Sequence, residues 1–147
     1  MNITEDIKST FFPEVYEKEV DTHGEIELCL LKKSGIARYC LAVLEFQDGI
    51  DIGKQVALAR AAIRKSTNSF WLFRELGVYI VFVADKAPKN LVKSELVTDS
   101  TGFHAVIVQG LHIIGPNGFH IYNQTKWFGK SFGGADQIAS RLTKLKT

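Results

Sequence analysis

The chain has 147 residues, of which 46% are hydrophobic and 23% charged; this is the balance of one globular domain over residues 1–147, and it excludes a disordered chain. A net charge of +2 is too small to draw the protein to nucleic acid or a membrane by itself, so any such binding must come from local patches. The longest apolar run, Val78 to Ala84, falls far short of the ~20 residues of a membrane helix, and Met1 to Ile7 has no basic or apolar leader pattern, so no membrane association and a cytoplasmic location are expected.

In chain order, Asn2 followed three residues later by Glu5 predicts a helix start. Ile3, Ile7 and Phe11 then share one helical face, and Pro13 ends the helix. Val15 to Val20 predicts a charged edge strand. Glu25 to Lys33 and Ile36 to Phe46 predict a hairpin. Asp51 is a suitable N-cap for a helix running to about Lys65, with Ile52, Val56, Ala59 and Ile63 as its core stripe. Ser66 to Ser69 interrupt that helix, and a further turn carries Phe70, Trp71, Phe73 and Leu76 before Gly77. Val78 to Ala84 is apolar on both faces and predicts a central strand.

Leu91 to Thr98 fits no single pattern. Phe103 to Ile114 predicts a strand bent at Gly110. Gly115 to Gly118 is a turn into the strand Phe119 to Asn123. Ala135 to Leu145 predicts a closing helix with Ile138, Leu142 and Leu145 buried. The order α-β-β-β-α-β-β-β-α predicts an α+β, mixed α/β fold, with one mixed sheet and helices packed on it.

The first hairpin has two plausible registers. A two-residue turn at Ser34-Gly35 pairs Lys33 with Ile36. A bulged turn with Gly35 left-handed pairs Lys32 with Ile36. The bulged turn sorts the residues better. It places Ile26, Leu28 and Leu30 beside Cys40, Ala42, Leu44 and Phe46 on an apolar face. Glu25, Glu27, Cys29 and Leu31 then lie beside Tyr39, Leu41, Val43, Glu45 and Gln47 on the other. Cys29 and Cys40 fall on opposite faces as separate buried thiols. Acids gather at the open end of the hairpin, where opposed like charges cost roughly 0.2–1 kcal/mol per pair. Solvent, a basic neighbour or a divalent cation would offset that cost.

Gly24-Glu25-Ile26-Glu27-Leu28, with Glu45-Phe46-Gln47 on the next strand, resembles the PD-(D/E)xK nuclease superfamily, in its Holliday-junction-resolvase-like branch. The α-β-β-β-α-β order is similar to that superfamily's core, and the resemblance covers residues 3–84. It implies a metal-dependent nucleic-acid phosphodiesterase in which Glu27 and Glu45 hold Mg²⁺. Gln47 would orient the attacking water and Lys54 would stabilise charge. Two positions depart from the pattern. Glu27 stands where the family has Asp, and Gln47 where it usually has Lys. A glutamine supplies no positive charge, which leaves that role to Lys54. An ordinary solvated strand face accounts for the same acids without any metal.

Outside that segment, a turn pairing the ends of Gly115 to Gly118 sets His112 against Ile121 and His120 against Ile113. The two histidines then face opposite ways and share no metal. Lys126-Trp127-Phe128-Gly129-Lys130-Ser131-Phe132 interleaves bases and aromatics. It suits nucleic-acid stacking or, more simply, the anchoring of the last helix to the sheet. Gly133-Gly134 opens a helix whose amides suit an anion. The alternative to a nuclease is a non-catalytic module that uses its aromatics to hold a small molecule, a protein partner or a second copy of the chain.

Overall fold

A computed structural model describes residues 2–22, 24–69, 74–98, 105–127 and 130–146. Expectations for Phe70, Trp71, Phe73, Phe103, Phe128 and Gly129 lie outside these residues. The fold is mixed α and β: one six-stranded sheet with helices on both faces. Helix α1, Ile3–Phe11, begins at Asn2, whose Oδ1 accepts from the Thr4 amide at 2.8 Å. The edge strand β1 is only Lys18–Glu19, within the predicted Val15 to Val20 segment. The hairpin is β2, Ile26–Ser34, and β3, Ala37–Glu45. Helix α2, Ile52–Thr67, starts at the expected Asp51 cap and runs two residues past Lys65, ending within the expected Ser66 to Ser69 interruption where Asn68 turns left-handed at φ 50°.

Strand β4, Leu76–Val83, lies in the middle of the sheet, as its apolar run predicts. Strands β5, Val106–Gly115, and β6, Phe119–Gln124, form the second hairpin. The ambiguous segment contains a single 3₁₀ turn, Lys93–Glu95. Short strands β7, Lys126–Trp127, and β8, Lys130–Ser131, precede α3, Ala135–Leu142.

The strands are ordered β1-β2-β3-β4-β5-β6. Strands β3, β4 and β5 are parallel neighbours; the remaining pairs are antiparallel. Helix α2 is the crossover between β3 and β4. Its Ala59 and Ile63 are buried, and Ile52 and Val56 pack partly, against Ile26, Leu44, Ile80 and Phe82. Helices α1 and α3 cover the other face through Ile7, Phe11, Ile138 and Leu142, over Leu28, Leu30, Leu41 and Val81. Leu145, beyond the end of α3, packs partly on the same core.

The hairpin register corrects both sequence expectations. Ser34 pairs with Ala37, so the loop is Gly35-Ile36, and Leu28 lies opposite Val43. Gly35 takes φ +64°, the first central position of a turn that matches strand twist. Ile36 sits fully exposed at the tip instead of starting the strand. The predicted apolar and polar faces fail for a topological reason: α2 covers one side and α1 with α3 the other, so both faces are apolar. Cys29 and Cys40 consequently share the α2 face, with their sulfurs 3.2 Å apart. Both remain free thiols. The hydrogen bond to Cys29 and then burial hold the Cys40 thiol above its ordinary range.

Candidate functional site

Strands β3 and β4 end side by side, and their parallel register pairs Glu45 with Val83. Partners in register point to the same side of a sheet, and residues two apart along a strand do likewise. Val43 and Val83 both belong to the core beneath α1 and α3, so strand alternation puts Glu45 in line with the α1 side, although at the end of β3 it also borders the cleft on the α2 side. A bulge in β2 governs Glu27. Ile26 pairs with Leu44 but Leu28 with Val43, so Glu27 is the extra residue. The bulge carries the strand from Ile26, in the α2-side core, to Leu28, in the α1-side core. Glu27 turns to α1, where its Oε2 accepts from the Thr4 hydroxyl at 3.0 Å. The first turn of that helix also carries Glu5 and Asp6. A carboxylate beside a helix N-terminus is favoured by the helix dipole.

Glu27 and Glu45 are both solvent-exposed. Continuing the observed register past Ile26 and Leu44 brings Glu45 level with Glu25, whereas the expected pairing of Lys32 with Ile36 would have set it across from His23. On the α2 side of this edge lies a cleft of about 270 Å³. Glu25, Glu45, Gln47, Ile50, Leu58 and Phe82 are among the residues that line it; Glu27 and Lys54 do not. Lys54 is exposed in the first turn of α2, its amide bound to Asp51 Oδ2 at 3.2 Å. The cleft therefore brings together Glu25, Glu45 and Gln47, while Glu27 is held by Thr4 outside it. Among the described residues no three His, Cys, Asp or Glu side chains converge closely enough to cage a metal by themselves.

Gln55 is the residue at this edge that sequence reasoning missed. It is 5% exposed on the inner face of α2. Its Oε1 accepts from the Gln47 amide at 2.8 Å, and its Nε2 donates to the carbonyls of Gln47 at 3.0 Å and Ile50 at 2.9 Å. One side-chain amide thus fixes the loop that carries Gln47. The available signal was its position: Gln55 interrupts the apolar stripe between Ile52 and Ala59.

The histidines depart from expectation. His112 pairs with Tyr122 and His120 with Ile114, because three residues, not two, cross between Gly115 and Phe119. His112 and His120 therefore share a face, with His112 Nε2 2.9 Å from His120 Nδ1. Tyr79 Oη lies 2.9 Å from His112 Nδ1, and His120 Nε2 lies 2.8 Å from the Leu145 carbonyl. A carbonyl only accepts, so His120 carries its proton on Nε2 and accepts on Nδ1. His112 then donates from Nε2 and accepts on Nδ1 from the Tyr79 hydroxyl. One set of neutral tautomers satisfies the whole chain. Burial, followed by the charge of His120, pushes His112 down to about 3. This is a structural relay that ties the C-terminal segment to the sheet, and it leaves no ring nitrogen of His112 for a metal.

No helix among the described residues is long and apolar enough to cross a membrane. No family model, curated protein or solved structure matches the chain.

Proposed function

We propose that the chain is a nuclease-like domain of the PD-(D/E)xK type that holds a divalent cation with Glu27 and Glu45 and acts on nucleic-acid phosphodiesters. The observation that carries this reading is the β2 bulge. Bulges re-aim side chains beside active sites, and this one turns Glu27 to the α1 side of the sheet, with which strand alternation aligns Glu45. The donor set suits the ion. Mg²⁺ is commonly bound by one or two carboxylates, its other positions filled by water and substrate phosphate oxygens. Two carboxylates therefore suffice where a closed protein cage is absent. When bound, the ion would neutralise phosphate charge and activate water.

The chain's own groups would divide the remaining work. Glu27 is steadied by Thr4, and the backbone of Gln47 is clamped by Gln55. The Gln47 side chain would orient the incoming water. It brings no positive charge to the transition state, so Lys54 would have to supply one from the start of α2. A site built this way binds phosphodiesters better than it cleaves them.

The test is incubation of labelled single-stranded, duplex and branched DNA with the protein in Mn²⁺ or Mg²⁺. Metal-dependent cleavage that is lost in Glu45→Gln, or metal-dependent binding lost in the same variant, is the expected result. Absence of both binding and cleavage at low salt would remove the nuclease reading.

A second reading rests on the cleft itself. Ile50 is 43% exposed and Leu58 66% exposed at its mouth, an apolar opening edged by Glu25 and Glu45. Such a cleft suits a small molecule or a partner segment with an apolar body and a cationic end.

A further inference from the structure

The opposite end of the sheet carries a second charged feature, built from Arg38, Arg64 and Arg74. Arg38 stands one residue into β3, Arg64 in the last turn of α2 and Arg74 just before β4. From Glu45, at the far end of nine-residue β3, this is about 25 Å away along the strand. The turn at Asn68 and Ser69 organises all three. Arg64 Nε donates to the Ser69 carbonyl at 3.3 Å, and Arg74 Nε donates to the Asn68 carbonyl at 2.8 Å. Arg38 lies beneath them, 8% exposed. Its Nη2 donates to the Thr67 carbonyl at 2.6 Å, and its Nη1 to the Arg74 carbonyl at 3.1 Å and to Ser69 Oγ at 3.4 Å.

Part of this arrangement is helix capping. Basic groups at a helix C-terminus satisfy its last carbonyls and oppose its dipole. Capping leaves four observations unexplained. Arg64 and Arg74 each spend only Nε on the turn, so both Nη groups of each guanidinium, the pair that forks onto an oxyanion, have no partner among the described residues. Both side chains belong to exposed residues. Arg38 Nε is buried and has no hydrogen-bond partner among the described residues, while its Nη groups make three hydrogen bonds. No Asp or Glu among the described residues forms an ion pair with any of the three; the ion pair found there is Lys8 with Glu19. Arg74 stands close enough to Arg38 that its charge adds to burial in lowering Arg38 from its ordinary range. Like charges are thus gathered on adjacent carbonyls with no acidic ion-pair partner among the described residues.

We propose that Arg64 and Arg74, backed by Arg38, form a binding site for a dianionic phosphate group, as in inorganic phosphate or a phosphomonoester. A guanidinium held by Nε is pre-oriented to offer its Nη pair, and two such forks meet the geometry of a phosphate. Charge matching selects the dianion. A phosphodiester carries one negative charge and offsets only one of the three arginines. The site is separate from the carboxylate edge and stands whether or not that edge binds metal.

The experiment is calorimetric titration of the parent protein with phenyl phosphate at pH 8, repeated with inorganic phosphate, diphenyl phosphate and a single-stranded oligonucleotide. Saturable binding of phenyl phosphate and inorganic phosphate, with diphenyl phosphate much weaker, is expected. Arg64→Gln and Arg74→Gln should each weaken it roughly tenfold or more, Arg74→Lys should not restore it, and Arg141→Gln should leave it unchanged. Labelling by phenylglyoxal, mapped by mass spectrometry on the parent protein, provides a measurement that needs no variant. Phenyl phosphate should slow modification of Arg64 and Arg74 but not of Arg141. No saturable binding, unaltered binding in both Gln variants, or unprotected Arg64 and Arg74 would overturn the proposal. An oligonucleotide that displaces phenyl phosphate and binds more tightly than it would also overturn it, since the occupant would then be a nucleic-acid backbone.

Discussion

Tyr16 is fully buried between α1 and β1, and its hydroxyl has no partner among the described residues. The ring is well used: it meets Phe11 edge-on at 6.1 Å, and the Lys32 ammonium lies 5.2 Å from its centre. The hydroxyl adds desolvation without a bond, and burial raises its ionisation far above the ordinary tyrosine range. Tyr16→Phe should therefore be neutral or stabilising by about 1 kcal/mol, and urea unfolding of the pair measures it. A loss greater than about 1 kcal/mol would mean that the hydroxyl has a partner. At this scale the capping residues were legible in the sequence. Asn2 and Asp51 are short polar side chains placed immediately before helical stripes, and both accept from amides as that position requires. Ile36 was not legible. An apolar residue after a glycine reads as the start of a strand, and only the pairing of Ser34 with Ala37 puts it on the tip. Gln55 was passed over because its polar group is satisfied by a loop eight residues earlier and not by a local cap.

Element by element, existence and order were legible, while register was not. Length and apolar content distinguish α2 from β4 without reference to neighbours. Register depends on which face is buried, and with helices on both sides of the sheet the pattern of β2 and β3 loses its contrast. The second hairpin failed for a related reason. One extra residue in the loop moved His120 to the face of His112 and created the relay from Tyr79 to Leu145. That relay makes acid sensitivity a property of this pair of strands and the segment after α3. His112 titrates at about 3 in the fold against about 6.5 in an unfolded chain. Between these values the unfolded state binds more protons, so the contribution of His112 is complete above about pH 6.5 and is lost as the pH falls towards 3. The whole interval is worth roughly 4–5 kcal/mol at most. His112→Gln should be less stable at pH 7 and show a shallower loss between pH 6.5 and 3. Urea midpoints across that range test it; parallel profiles for the two proteins would show that His112 does not carry the dependence.

For the whole molecule, the sheet separates two kinds of charge. Carboxylates collect where β3 and β4 end, and arginines where they begin, with a covered apolar core between. The acidic end was legible in part. Glu45 ends β3, level with Glu25 rather than in the register the hairpin pattern predicted, and Gln47 lies in the loop just beyond it. The position of Glu27 depends on a bulge with no composition of its own, and the helix that receives it is contributed by residues more than twenty positions earlier. The arginine end was hidden because Arg38, Arg64 and Arg74 meet only through the turn at Asn68. The central functional claim is that Glu27 and Glu45 share a cation. It is tested most directly by thermal melts of the parent and of Glu27→Gln, each in chelator and in Mn²⁺. A cation at a hundredfold excess over its dissociation constant stabilises its host by roughly 2.7 kcal/mol, enough to raise the melting temperature of the parent by several degrees. The predicted result is that rise in the parent and little or none in Glu27→Gln, with the two proteins melting closely in chelator. Equal responses to Mn²⁺, or no response in either protein, would contradict it.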